Sequence, residues 1–285
     1  MIKKNNKNLF IIQNNKDLDT LILKYKNSKI FYLDTEFDRK TTYKAILSFV
    51  VLFDGKTIGI IDCLEKKLNY IKILKFINKK KNTLVIHSCR QDIEILLNVC
   101  KKIICKIFDT QIAANFIGYS NPPSYKKLVF DFCKISLDKN LQNTDWLIRP
   151  LNKKKTEYLI NDVIYLSKIF TKIKNQSAFK KNISKFNKIL RNELNRIYNN
   201  EYSIIYKNKL GKDLYLNKNL KKIINYRNQI AKNKNIPKNW VLSDKNIINL
   251  IKNKNNKIKS DKLSLFHINE LTILIKKFRS IYLNK

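Results

Sequence analysis

The feature that most restricts the fold is an Asp-Gly pair between two apolar runs: YKAILSFVVLF precedes Asp54-Gly55, and KTIGIID follows it. Apolar, β-branched runs on both sides of such a pair spell a β-hairpin. The expected connection is a type I′ turn with positive φ at both central residues. Upstream, KIFYLDTEF over 29–37 is another apolar run, ending in acids as a buried strand does where it leaves a core. The first three strands are therefore expected to form an antiparallel meander.

Downstream the pattern changes to alternation. NTLVIHS (82–88) reads as a strand, and CRQDIEILLNVCKK places Ile93, Leu96, Leu97 and Cys100 at helical spacing. IICKIFDT reads as a fifth strand. QIAANFIG reads as a short helix stopped by Gly118, and SYKKLVFDFCKI (124–135) as another after Pro122-Pro123. TEYLINDVIYLSKIF (156–170) is the clearest helix. A meander followed by strand and helix alternation predicts an α/β fold, a mixed sheet flanked by helices. Beyond residue 172 only basic amphipathic segments occur, over 176–198, 217–233, 243–253 and 263–282, so a second, all-helical domain is expected. A chain of 285 residues has room for both.

Charge narrows the function. Fifty-nine Lys and Arg against 22 Asp and Glu leave a formal charge of +37, which attracts polyanions, nucleic acid first among them. Compositional drift is the competing explanation, since Lys, Asn and Ile crowd the whole chain. The excess is nonetheless uneven: 32 basic and 16 acidic residues over 1–172, against 27 and 6 over the shorter 173–285. Five cysteines (Cys63, Cys89, Cys100, Cys105, Cys133) without a C-x-x-C pair fit a reduced, cytoplasmic setting. The opening MIKKNNKNLF lacks the apolar run of a signal peptide, and no long apolar stretch follows, so no membrane association is expected.

The acids carry the chemistry. Asp34 and Glu36 lie two apart on a strand and leave the same face of the sheet. Tyr158 and Asp162 lie four apart on one helix face, with Asp162 in an apolar turn where an unpaired carboxylate is costly to bury. Asp92 opens the helix after the fourth strand, a position any carboxylate favours. Singly, each reads equally well as a surface acid or a cap. Together they can converge at one edge of the sheet, where four carboxylates without a basic cluster need hard divalent cations. Two such ions about 4 Å apart, Mg²⁺ or Mn²⁺, suit phosphodiester hydrolysis. Asp109 reads as a helix cap, His87 as the donor or acceptor of a structural hydrogen bond, and Cys89 as an inert thiol.

The blocks LDTEF, HSCRQDIEIL, FDTQIAANF, NTDWLIRPL and YLINDVIYL, in this order and spacing over residues 30 to 170, resemble bacterial ribonuclease D. That family belongs to the DEDD exonucleases, and a tyrosine four residues before the last acid marks one branch of them. DLYLNKNLKKIINYRNQIAKNKNIPKNWVLSDKNIINLIKNK similarly resembles an HRDC domain through Arg227, Ala231, Pro237 and Leu242-Ser243-Asp244.

The resemblance implies a ribonuclease H-like sheet over 1–172, a basic helical linker over 173–207 and a small HRDC-like bundle over 208–285. It also implies 3′ to 5′ removal of nucleoside monophosphates from RNA, tRNA precursors and other structured RNAs among its substrates, by a monomer. Asp34 would bridge two metal ions, Glu36 and Asp162 would share the ion that activates water, and Asp92 would serve the other. Tyr158 would orient the attacking water, because a phenol with a pKa of about 10 is a poor base. Thr35, Phe37 and His87 would contact the terminal nucleotide, and Trp146 would wedge a base or anchor its loop. The family commonly carries two HRDC domains, whereas this chain has room for one. Two other functions fit the same residues: a non-catalytic RNA-binding protein, or a 3′ to 5′ DNA exonuclease.

Overall fold

The computed structural model describes residues 8–137, 141, 144–198, 206, 210, 218–253, 257–258 and 260–282. The chain divides into two compact units, one of residues 1–38 and 47–199, the other of residues 39–46 and 200–285.

Six strands form the sheet of the first unit: β1 (Leu9–Ile12), β2 (Ile30–Asp38), β3 (Ile46–Phe53), β4 (Ile58–Asp62), β5 (Thr83–Ile86) and β6 (Lys106–Asp109). Their spatial order is β1-β4-β3-β2-β5-β6. β3 and β4 pair antiparallel, whereas β1 with β4, β2 with β5, and β5 with β6 pair parallel. The mixed sheet flanked by helices thus matches the expected class. β2 lies inside the sheet between β3 and β5, which explains its near-continuous apolar stretch before the acids.

The Asp54-Gly55 hairpin forms, but not through a type I′ turn. Of the pair only Gly55 has positive φ, at 95°. Phe53 pairs with Ile58, leaving four connecting residues. Asp54 organises them with its side chain, Oδ1 accepting from Lys56 N at 2.9 Å and Thr57 N at 2.7 Å. The carboxylate replaces the second left-handed residue as the turn-forming device.

Around the sheet lie α1 (Asn15–Lys24), α2 (Ile71–Ile77), α3 (Arg90–Cys100), α4 (Thr110–Ala114), α5 (Tyr125–Cys133), α6 (Lys153–Asn175), α7 (Ser177–Lys181) and α8 (Ile183–Tyr198). Sequence patterning passed over β1, α1 and α2, which are short and set among Asn and Lys. The segment expected as a linker is helical through Tyr198, but α7 and α8 bury Phe179, Phe186, Leu190 and Ile197 in the core of this unit. Their high lysine content hid that apolar stripe.

The second unit contains α9 (Lys218–Asn233), α10 (Lys238–Val241), α11 (Asp244–Lys252) and α12 (Leu265–Tyr282). Leu220, Ile223, Ile247, Ile251, Leu271 and Phe278 fill its core. Buried Arg227 donates to the Leu242 carbonyl and to Asp244 Oδ1 at 2.9 Å, and Ser243 caps α11 by accepting from Asn246 N at 3.1 Å. Among the described residues no helix is long and apolar enough to cross a membrane.

At Gly59 on β4 the sheet comes close to α1: a Cβ there would stand 2.5 Å from Leu21 Cδ2 and 3.2 Å from Tyr25 Oη. Leu21 is fully buried and has nowhere to turn. Gly59→Ala should therefore destabilise the protein by about 1–3 kcal/mol, read as a lower denaturation midpoint with an unchanged denaturant slope.

Candidate active site

β2 carries Asp34 and Glu36 out of the core on one face, and α6 presents Asp162 to the same place. One carboxylate oxygen from each lies within 4.8 Å of the others. Asp34 and Glu36 are half-buried as whole residues, and their carboxyl groups share this cluster with that of Asp162. Asp162 is 6% exposed, and its Oδ1 has no hydrogen-bond partner. Tyr125 on α5 donates its hydroxyl proton to the main-chain carbonyl of Asp162, tying that turn of α6 in place.

Asp92, in the first turn of α3, stands outside this tight set but within its field. It is 8% exposed and accepts a hydrogen bond from Thr35 Oγ1 at 2.6 Å. Thr35 is the residue between Asp34 and Glu36, so the opposite face of β2 reaches across to hold the fourth acid. The structure therefore gives the Thr35 side chain a partner of its own.

The electrostatics are those of an uncompensated cluster. Burial, then the neighbouring acids, pushes Glu36 up to about 10. Burial followed by the charge of Asp34 pushes Asp92 up to about 8. Asp34 rises to about 6 through burial, despite a main-chain hydrogen bond at Thr35. Asp162 lies well above the carboxylate range through burial and Asp34, with the Tyr158 hydroxyl pulling back. Among the described residues, the causes that dominate these shifts are burial and the neighbouring acids. The Tyr158 phenol is itself raised by burial and by Asp162, Glu36 and Asp34.

Such a donor set fits a hard divalent cation: clustered oxygens, and one buried oxygen left without a hydrogen. Exposed acids often cluster without an ion, but here Asp162 is buried and the other two are half-buried, and a shared positive charge would offset that burial.

The remaining expected residues have defined places. Asp109 is the N-cap of α4, Oδ1 accepting from Gln111 N at 2.8 Å, and it also takes the main-chain N–H groups of Ser88 and Cys89 at 3.1 and 2.8 Å. His87 Nδ1 lies 3.0 Å from Thr110 Oγ1, its ring 5.3 Å from Tyr125. Burial lowers its pKa to about 4, so it is neutral at physiological pH. Burial holds the Cys89 thiol well above its ordinary range, as an inert structural cysteine requires. Phe37 is half-buried at the exit of β2.

Trp146, only 3% exposed, packs its ring 5.7 Å from that of Tyr158 and 6.4 Å from that of Phe49. Its indole N–H makes no complete hydrogen bond, yet it lies close enough to Glu36 to pull that acid's pKa down.

Behind Trp146 sits a pair absent from the sequence reading, Asp62 and Arg149. One signal could have found it: only seven of the 59 basic residues are arginine. A chain that otherwise spells positive charge as lysine needs the planar guanidinium fork where it keeps it.

The chain belongs to the 3′–5′ exonuclease family, whose family model matches residues 9–178. Within it the chain is similar to ribonuclease D. It is 34% identical to the enzyme of Shewanella sp. (strain ANA-3) over 172 residues, 59% of this chain and 44% of that protein. It is 35% identical to that of Escherichia coli (strain K12) over 141 residues, 50% of this chain and 37% of that protein. The matched stretch thus spans less than half the length of these relatives. In fold it resembles the crystal structure of Escherichia coli RNase D, described as an exoribonuclease involved in structured RNA processing. The TM-score is 0.69 at 22% identity, covering 95% of this chain and 75% of the other. The catalytic core of RRP6 from Trypanosoma brucei follows with a TM-score of 0.57 at 20% identity, covering 94% and 80%.

The raised carboxyl pKa values set the sign of a pH dependence. Folded metal-free protein retains protons on Asp34, Glu36 and Asp92 that the unfolded chain releases above about pH 4. The stabilising contribution of these protons is complete below that pH and is lost as pH climbs through about 6 and about 8. In EDTA the thermal midpoint should therefore fall from about pH 5 to about pH 8. Mn²⁺ should raise the midpoint far more at the higher pH, and Asp34→Asn should raise the metal-free midpoint while weakening the response to Mn²⁺. Differential scanning fluorimetry reads all three.

Proposed function

We propose that this chain is a metal-dependent 3′–5′ exoribonuclease that releases nucleoside 5′-monophosphates by a two-metal-ion mechanism with Mg²⁺ or Mn²⁺. The observation that carries the reading is the set of Asp34, Glu36 and Asp162, three carboxylates that bring an oxygen each within 4.8 Å of one another, with Asp162 buried and one of its oxygens left without a hydrogen-bond partner. Family membership and similarity to ribonuclease D support the same assignment.

Asp34, Glu36 and Asp162 would hold the ions, with Asp92 completing the second site in the orientation that Thr35 gives it. Bound there, two divalent ions supply an activated water and neutralise charge on the leaving oxygen. Tyr158 keeps its phenolic proton at neutral pH, so its hydroxyl orients the attacking water instead of taking its proton. Burial pushes the His87 imidazole down to about 4, which makes it too weak a base to serve as the proton acceptor. Phe37 and His87, with the main chain at Thr35, are assigned to the terminal nucleotide, where a ring can stack on a base.

The substrate class follows from charge and kinship. A net charge of +37 favours a polyanion, and relatives named ribonuclease D point to RNA, with tRNA precursors and other structured RNAs as the natural class. The helical unit is assigned as HRDC-like. Arg227, Leu242 and Asp244, which helped carry that resemblance in the sequence, meet in one hydrogen-bonded group, and Ser243 caps the adjoining helix. Residues 173–285 hold 27 basic residues against 6 acidic ones, suited to gripping the phosphates of an RNA chain. The protein is assigned as a cytoplasmic monomer, with the exonuclease in the first unit.

The test uses matched single-stranded RNA and DNA with free 3′ ends. RNA should be shortened from the 3′ end to mononucleotides in Mg²⁺ or Mn²⁺ and not in EDTA, with DNA cut much more slowly. Equal rates on both would reassign the chain as a general exonuclease. Asp34→Asn should lower kcat by about a thousandfold, because losing metal stabilisation of transition-state charge removes several kcal/mol. Tyr158→Phe should cost less, about 10² to 10³-fold, as loss of one oriented hydroxyl does.

A further inference from the structure

Arg149 stands in a basic chain, next to a candidate active site, on a loop that bears the exposed residue Ile148. By position it would be taken for a phosphate-binding arginine. Its surroundings show a different occupation.

Asp62 closes β4 with its side chain only 5% exposed, and it receives the guanidinium in the two-pronged geometry, Nε to Oδ2 and Nη2 to Oδ1, both at 2.7 Å. The other edge of the fork donates from Nη1 to the carbonyl of Trp146 at 2.7 Å and from Nη2 to Ser48 Oγ at 2.9 Å. Ser48 Oγ in turn donates to the same Trp146 carbonyl at 2.6 Å. The plane of the guanidinium stacks on Phe49, 3.9 Å from its centroid. Nη1 also reaches the Ile148 carbonyl at 3.2 Å. Every nitrogen of the fork is thus engaged inside the protein, and its one exposed face carries no free donor for a phosphate.

All these bonds converge on residue 146. The Trp146 carbonyl is held by Arg149 and Ser48, its ring touches Phe49 on one side and Tyr158 on the other, and its indole N–H lies beside Glu36. Lys155 completes the enclosure, its Nζ on the Asp145 carbonyl and 5.5 Å from the Trp146 ring.

We propose that Asp62 and Arg149 form a positioning clamp that fixes Trp146 against Tyr158 and Glu36, and that Arg149 is not an RNA contact. The clamp sets where the Tyr158 hydroxyl and the Glu36 carboxylate stand relative to the scissile phosphodiester. This inference rests on the proposed exonuclease activity for its kinetic consequence, but its structural content stands separately.

Two readouts test it. On an oligoribonucleotide, Arg149→Lys and Asp62→Asn should each lower kcat about 10- to 100-fold, the usual cost of loosening a residue that orients a metal-site group. KM and the slope of log KM against log salt should stay as in the parent. The double variant should lose little more than either single one, because the two act as one unit. A phosphate contact predicts the opposite split: Arg149→Lys near neutral, and Arg149→Ala with raised KM, a shallower salt slope and unchanged kcat. That pattern would overturn the clamp.

The second readout needs no activity. Trp240, 45% exposed, is the other tryptophan, so in a Trp240→Phe background fluorescence reports Trp146 alone. Arg149→Lys and Asp62→Asn should red-shift its emission and open it to acrylamide at a temperature where circular dichroism still shows folded protein. Unshifted emission in both would sink the clamp, even if the parent released no nucleotide and the exonuclease reading fell with it. Should Asp62→Asn fail to fold, Ser48→Ala takes its place. It removes one of the two donors to the Trp146 carbonyl and should give a smaller shift in the same direction.

Discussion

Three carboxylates, one buried and two half-buried, bring an oxygen each within 4.8 Å of the others, and the supports around them in the first unit depend on that constraint. Left as anions they repel, and each loses hydration that no protein donor fully returns. The consequence appears in the acids themselves, with Glu36 pushed up to about 10 and Asp92 to about 8. A fold keeps such an arrangement only if surrounding packing over-determines it, and binding of the proposed cations would recover the cost.

The over-determination is specific. Tyr125 pins the main chain of Asp162, Thr35 pins the side chain of Asp92, and Asp109 collects four main-chain N–H groups where β5 and β6 pass into α3 and α4. The Asp62–Arg149 pair performs the same service for Trp146. Most of these supports are hydrogen bonds between a side chain and the backbone, which fix position, although the Asp109 carboxylate also adds to the field that raises Asp92. His87 belongs to this scaffold as well, its neutral ring lying between Thr110 and Tyr125.

Arginine placement separates structure from partner binding in a chain so rich in lysine. Arg149, Arg227 and Arg279 each direct the fork at backbone carbonyls inside their own unit, Arg279 reaching those of Ile251 and Asn253. Lysine, a hydrated point charge on a flexible stem, supplies most of the field that draws a polyanion to the surface. The two residue types therefore divide the work of a single charge class.

Much of this was legible in the residues. Apolar runs and the Asp-Gly pair announced the strands, 3.6-residue spacing announced α3, α5 and α6, and five motif blocks in order placed Asp34, Glu36, Asp92, Tyr158 and Asp162 on one edge. Local periodicity and local chemistry suffice for such features, because each depends on neighbours a few residues away. The sequence was silent where the cause is remote. It did not disclose that α7 and α8 join the core of the first unit, that Asp92 stands apart from the other acids on a bond from Thr35, or that Asp54 forms its turn by side chain. Asp62 and Arg149 are 87 residues apart, and no spacing rule joins them. Kinds of residue and kinds of element were written locally. Which oxygen is left unpaired, which arginine is consumed and which acid stands in the cluster were decided only when the sheet brought distant segments within hydrogen-bonding range, because hydrogen bonds and charge act over ångströms and not along the chain.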